Sequence, residues 1–75
     1  MKPRNQALGD ILMQIREASA LSRKDLAERA GVDQSTIYRA EHGVTTLRPS
    51  TVRKLAEALN VPVAALTGYQ RRLLP

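Results

Sequence analysis

The order of capping and turn-forming residues between Leu21 and Gly43, LSRKDLAERAGVDQSTIYRAEHG, leaves this chain few ways to fold. Ser22 and Asp25 have the S-x-x-D spacing of a capping box, in which the hydroxyl and the carboxylate each accept from the other residue's backbone N–H. Leu26, Ala27 and Ala30 then repeat on one face at helical steps. Gly31 stands where the chain must leave the helix, since glycine adopts the left-handed cap conformation without a Cβ penalty. Asp33 offers a second N-cap, Ile37 with Ala40 an apolar anchor, and Gly43 a second stop. The spacing predicts two short helices, from about Ser22 to Ala30 and from about Asp33 to His42.

Two helices joined by a three-residue turn that holds a glycine make the pattern of a helix-turn-helix. The outer side of the second helix carries Gln34, Ser35, Thr36, Tyr38 and Arg39, all with hydrogen-bonding ends. Such a helix is held at one edge and free to contact a partner at the other.

The rest of the chain has to support that unit with little material. Seventy-five residues make one small domain, which buries only about 60% of its unfolded surface. There is no cysteine, so neither a disulfide nor a thiolate metal site can contribute, as suits a reducing compartment. The longest apolar run, Val61 to Leu66, contains Pro62 and falls far short of the roughly 20 residues that span a bilayer. The start, MKPRNQ, is basic with no apolar segment behind it, unlike a secretory signal. The expected location is the cytoplasm. Twelve Lys and Arg against seven Asp and Glu give +5 and a pI near 10.5, which suits a polyanionic partner.

Taken in order, residues 1–5 read as a basic arm, 6–68 as the folded domain, and 69–75 as a tail or the start of a linker. Lys2 and Arg4 of the arm are read as solvated rather than phosphate-bound. Leu8, Ile11, Leu12, Ile15 and Ala18 predict a first helix from Gln6 to Ser19, with Asn5 as N-cap. Gly9 is out of place inside it, costing about 0.5–1 kcal/mol relative to alanine, and close approach of another backbone would explain it. Ala20 and Leu21 are connectors. After the loop VTTLRPS, Ser50 is expected to cap a fourth helix, Thr51 to Leu59, with Val52, Leu55, Ala56 and Leu59 as its stripe and Asn60 as a left-handed cap. A short fifth helix, Pro62 to Thr67, ends at Gly68. The expected core is Leu8, Leu12, Ile15, Leu21, Leu26, Ala27, Ala30, Val32, Ile37, Val52, Leu55, Ala56, Leu59, Val63 and Leu66. The fold class is all-α, a compact five-helix bundle.

These residues resemble a phage repressor-type (Cro/C1, Xre-like) helix-turn-helix domain from about Leu8 to Leu66. The carriers are Leu21-Ser22, Asp25-Leu26-Ala27, Gly31-Val32, Ile37 with Glu41 and Gly43, Arg48-Pro49-Ser50, and Leu55-Ala56 with Ala58-Leu59. The resemblance implies a lambda repressor-like bundle with the third helix in the DNA major groove. It also implies a homodimer on a pseudo-palindromic operator with half-sites about one helical turn apart. It further implies a structural ion pair between Arg16 and Glu41. The chain departs from the family pattern at Arg23, where glutamine commonly opens the second helix, and at His42, which replaces a common asparagine. Ile11 and Met13 stand at usually polar positions, and Pro62 replaces a serine or threonine cap.

Within that frame Gln34 is expected to pair with adenine rather than being a solvated first-turn residue, and Arg39 with guanine rather than making a phosphate contact or a surface ion pair. Ser35 and Thr36 suit either a base edge or a phosphate, and Thr36 can instead face inward. Tyr38 suits a thymine methyl, a phosphate, or packing on the following loop. Arg23, Thr45, Thr46 and Arg48 would position the protein on phosphates, whereas Lys24, Arg29, Arg53 and Lys54 read as a solvated face. His42, the lone histidine, has no companions for a zinc site and suits a helix-end cap or a phosphate. No nucleophile–base pair and no phosphate-cradling glycine loop is evident. The expectation is a homodimeric DNA-binding transcriptional regulator acting as a repressor, and not an enzyme, with no sequence signal for a cofactor, a membrane or a small-molecule ligand. The competing readings are an antitoxin-like or regulatory protein-interaction module, suggested by Ile11, Met13, Leu73 and Leu74, and the DNA-binding head of a longer regulator. A dimer surface is expected around Val61, Ala64, Ala65, Tyr69 and Leu73.

Overall fold

Helix ends organise this structure as much as helix faces do. The computed structural model describes residues 4–67, with side chains described from Leu8 onward. Five helices follow one another: α1 (Arg4–Ala18), α2 (Arg23–Ala30), α3 (Gln34–Glu41), α4 (Pro49–Leu59) and α5 (Val63–Thr67). No strand occurs among the described residues, and no helix among them is long and apolar enough to cross a membrane.

The first four helices leave through the left-handed region, at Ala20 (φ 59°), Gly31 (φ 73°), Gly43 (φ 71°) and Asn60 (φ 59°). The next residue in each case folds its N–H back over the last turn: Leu21 to the Arg16 carbonyl, Val32 to Ala27, Val44 to Arg39 and Val61 to Ala56, all at 2.9–3.2 Å. This is the Schellman closure, with an apolar residue following the left-handed one in all four. Gly31, Gly43 and Asn60 behave as their residue types direct. Ala20 does not: it is an L-residue with a Cβ in a conformation that glycine favours, at the point where the chain turns from α1 into α2.

Helix starts follow the sequence less closely. The Ser22–Asp25 capping box forms in both directions, with Asp25 N–H to Ser22 Oγ at 3.0 Å and Ser22 N–H to Asp25 Oδ2 at 3.3 Å. Asp33 occupies the N-cap position of α3, but its side chain makes no cap hydrogen bond. α1 begins at Arg4, so Asn5 lies inside the helix and is not its cap; the apolar repeat from Leu8 onward carries no information on how far the helix extends before it. α4 begins at Pro49 rather than Thr51, with Arg48 and not Ser50 at the cap position. Proline's fixed φ suits a first helical turn, where no N–H is needed. α5 begins at Val63, after Pro62. The expected stop at Gly68 and the tail residues Tyr69, Leu73 and Leu74 lie outside the described residues, as does Lys2.

α1 packs on α3 and α5, α2 on α3 and α4, and α4 on α5. The buried centre is Leu12, Leu26, Ala27, Ile37, Ala40, Val52, Leu55, Ala56, Leu59 and Leu66. Leu8, Ile15, Leu21, Ala30 and Val32 pack against it half-buried. The core departs from expectation in several places: Ala40 is buried in it, and Ala58 and Val61 pack against it. Val63 is exposed, because a five-residue helix turns only one narrow face inward, and Leu66 occupies it. Ile11 packs against the core, so it is not a spare apolar residue, and Leu47 joins it from the loop before α4. Gly9 is buried where α1 crosses the end of α3: a Cβ there would run into the Ala40 carbonyl oxygen and sit 2.9 Å from that of Glu41. The close approach of another backbone expected from its odd position is found.

Candidate nucleic-acid interface

α3 is held from inside and open outside. Ile37, Ala40 and Glu41 are buried, whereas Gln34, Ser35, Tyr38 and Arg39 are exposed. Residues four apart on a helix share a face, so Gln34 stands beside Tyr38 and Ser35 beside Arg39. These four, with Arg23 from the start of α2, line one open hollow. Thr36 is half-buried and does not line this hollow.

The anchor beneath is Glu41, whose side chain has no exposure at all. Arg16 of α1 grips it with two hydrogen bonds, Nε to Oε2 at 2.6 Å and Nη2 to Oε1 at 3.1 Å. The third guanidinium nitrogen, Nη1, donates to the Leu21 carbonyl at 2.8 Å, so one arginine joins α1, α3 and the entrance to α2. The hydrogen bond to Glu41 raises the Arg16 pKa above its ordinary value, overcoming the opposite effect of desolvation. The expected ion pair is therefore present, and Arg16 points into the protein.

Arg23 makes a contact for which the sequence held no signal. Its Nε donates to Glu41 Oε1 at 2.8 Å, so the buried carboxylate serves two arginines. The Arg23 guanidinium carbon also lies 5.1 Å from the centre of the Tyr38 ring, within cation–π range. Tyr38 in turn stacks on His42, with ring centres 4.0 Å apart and planes 23° apart. His42 Nδ1 lies 2.8 Å from the Tyr38 carbonyl oxygen, which can only accept, so Nδ1 carries the proton in this arrangement. Tyr38 and His42, four residues apart, were a legible pair. Arg23 and Tyr38 meet only through the crossing of α2 and α3.

The other framing residues lie in and beyond the loop after α3. Thr45 is half-buried, Thr46 and Arg48 are exposed, and Arg48 holds the N-cap position of α4 without a side-chain cap bond. Lys24, Arg29, Arg53 and Lys54 are exposed on helix faces, as expected. Among the described residues no group of three or more His, Cys, Asp or Glu side chains could hold a metal ion.

Residues 12–66 match the family model HTH_3, described as helix-turn-helix, which takes in all of α2 to α4, the C-terminal part of α1 and most of α5. The chain belongs to the HTH_3 helix-turn-helix family. This HTH_3 chain is 37% identical over 68 residues to the HTH-type transcriptional repressor RghR of Bacillus subtilis, an alignment covering 85% of the chain and 50% of the repressor. Among solved structures, the restriction-modification controller protein C.AhdI from Aeromonas hydrophila superposes with a TM-score of 0.81 at 31% identity, over 83% of this chain and 94% of that one. The clp gene regulator ClgR from Corynebacterium glutamicum superposes with a TM-score of 0.84 over 100% of this chain and 97% of its own, at 20% identity, a likeness of fold alone. The chain spans half or less of the length of the curated relatives it matches.

Proposed function

We propose that this HTH_3 domain binds double-stranded DNA sequence-specifically as a homodimeric transcriptional regulator, acting as a repressor, with α3 in the major groove. The observation that carries the reading is the grouping of Gln34, Ser35, Tyr38 and Arg39 around one hollow on a helix whose opposite face is locked by Ile37, Ala40 and Glu41. A rigid helix with an amide and a guanidinium on its open face suits adenine and guanine edges. Ser35 and the half-buried Thr36 stand at the N-terminal end, the end that enters the groove in helix-turn-helix docking. Arg23, Thr45, Thr46 and Arg48 flank that helix and are assigned to phosphates, with the net charge of +5 favouring approach.

The homodimer has a surface available in the exposed Val63 and Ala64 and the half-buried Val61 and Ala65. One small module reads few base pairs, so two copies on a pseudo-palindrome supply the discrimination that one lacks. A regulator of this kind works in the cytoplasm.

Selection of bound duplexes from a random DNA pool at moderate salt tests the whole reading. An enriched inverted repeat is expected. An enriched single half-site would retain DNA reading and remove the dimer. Weak, salt-sensitive binding without enrichment would overturn sequence-specific regulation in favour of a protein-interaction role.

A further inference from the structure

We infer that Arg23 is a positioning residue for base recognition: it is fixed by buried Glu41 and in turn fixes the Tyr38 ring on the open face of α3. The inference rests on the DNA-binding reading above and adds to it a residue that sets specificity without reading a base.

Three observations carry it. Arg23 Nε is bonded to a carboxylate that is itself clamped by Arg16, so the base of the Arg23 guanidinium cannot swing freely. The same guanidinium lies over the Tyr38 ring, and that ring also stacks on His42. Tyr38 is nevertheless 49% exposed, and it lines the hollow with Gln34, Ser35 and Arg39. A half-exposed tyrosine at the surface of a helix would ordinarily sample several rotamers, and each would present a different shape to a base pair. Two planar partners reduce that choice before DNA arrives, so less ordering free energy is lost on binding. Arginine is required because it combines a directed Nε–H with a flat stacking face; lysine supplies charge but neither of these. A simple phosphate clamp needs only the charge.

The two roles separate in Arg23→Lys. The first readout needs no DNA. His42 is the only histidine in the sequence, so its ring-proton NMR signals identify themselves, and stacking on Tyr38 displaces them by ring current. In folded Arg23→Lys protein these signals should move toward their positions in Tyr38→Ala, where the ring is missing. The second readout is base preference. Arg23→Lys should lose about fivefold or more discrimination at the same base position as Tyr38→Ala, with the salt dependence of affinity retained. The double variant should lose no more at that position than either single one. Arg23→Gln, whose amide can still donate to Glu41, provides a second variant if the lysine form does not fold. Unmoved His42 signals, or an even loss of affinity over all sequences with preference intact, would overturn the inference. If the unaltered protein shows no base preference, the DNA-binding reading fails by itself, and the inference falls with it even where the NMR signals show Arg23 ordering the ring.

Discussion

Gly9 of α1 lies so close to the Ala40 carbonyl of α3 that the two backbones meet without room for a β-carbon between them. This crossing sets the depth at which α3 is seated on α1, about two turns of α1 before Arg16 reaches Glu41. The obstacles are backbone oxygens, which cannot rotate aside as a side chain can.

Gly9→Ala should therefore destabilise the domain even though alanine is the better helix former. The intrinsic gain is about 0.5–1 kcal/mol, and the cost of forcing packed backbones apart is about 1–3 kcal/mol. Urea unfolding followed by circular dichroism should show a lower midpoint. A raised midpoint would mean that α1 and α3 are not in contact at this position.

Ala20→Gly should have the opposite sign. Ala20 holds φ 59° at the end of α1, where left-handed geometry costs an L-residue about 1–2 kcal/mol. Glycine relieves this but adds freedom to the unfolded chain, leaving a net gain of about 0.5–1 kcal/mol. The same unfolding measurement checks it, and a loss of stability would show that the exposed Ala20 methyl is not strained.

Arg16→Met should cost about 3–5 kcal/mol, because it removes the stronger of two partners from a fully buried carboxylate. For a domain with roughly 4–11 kcal/mol in total, that loss approaches unfolding. A double-mutant cycle with Glu41→Gln should give a favourable coupling energy, whereas additive losses would mean the pair is not coupled. Arg16 remains protonated at any ordinary pH, its pKa being raised chiefly by the Glu41 hydrogen bond, so raising the pH toward 10 should not release the pair.

Arg39→Ala should weaken binding by about 1–3 kcal/mol and relax preference at one base position. Arg48→Ala should weaken binding to every sequence and flatten the salt slope by about one unit. Selected pools and salt titrations distinguish the two. Even losses from both variants would remove Arg39 from base reading.

Local chemistry alone made much of this protein legible. The capping box of Ser22 and Asp25, the stops at Gly31, Gly43 and Asn60, and the stripes of α1, α2 and α4 depend on neighbours within a few residues, and each formed as its residues direct, apart from Ala18 of α1, which is exposed. The oddity of Gly9 was visible too, although not which backbone it would admit. Other features come from elements far apart in the chain, where no spacing rule applies. Arg23 meets Glu41 across 18 residues, and Arg16 meets it across 25; only the family resemblance anticipated the second pair. Ala20 takes a glycine's conformation because the chain must turn from α1 into α2 at that point, and a residue's own preference is worth only a kcal/mol or two against that. Val63 was placed inside by its apolar character, but hydrophobicity does not say which face of a one-turn helix turns inward. The sequence by itself determined where α2, α3 and α4 stop and which side of the longer helices is apolar, since those depend on local sterics and periodicity. Only the tertiary structure decided which charges are shared and which aromatic ring is held, because those depend on how α1, α2 and α3 cross.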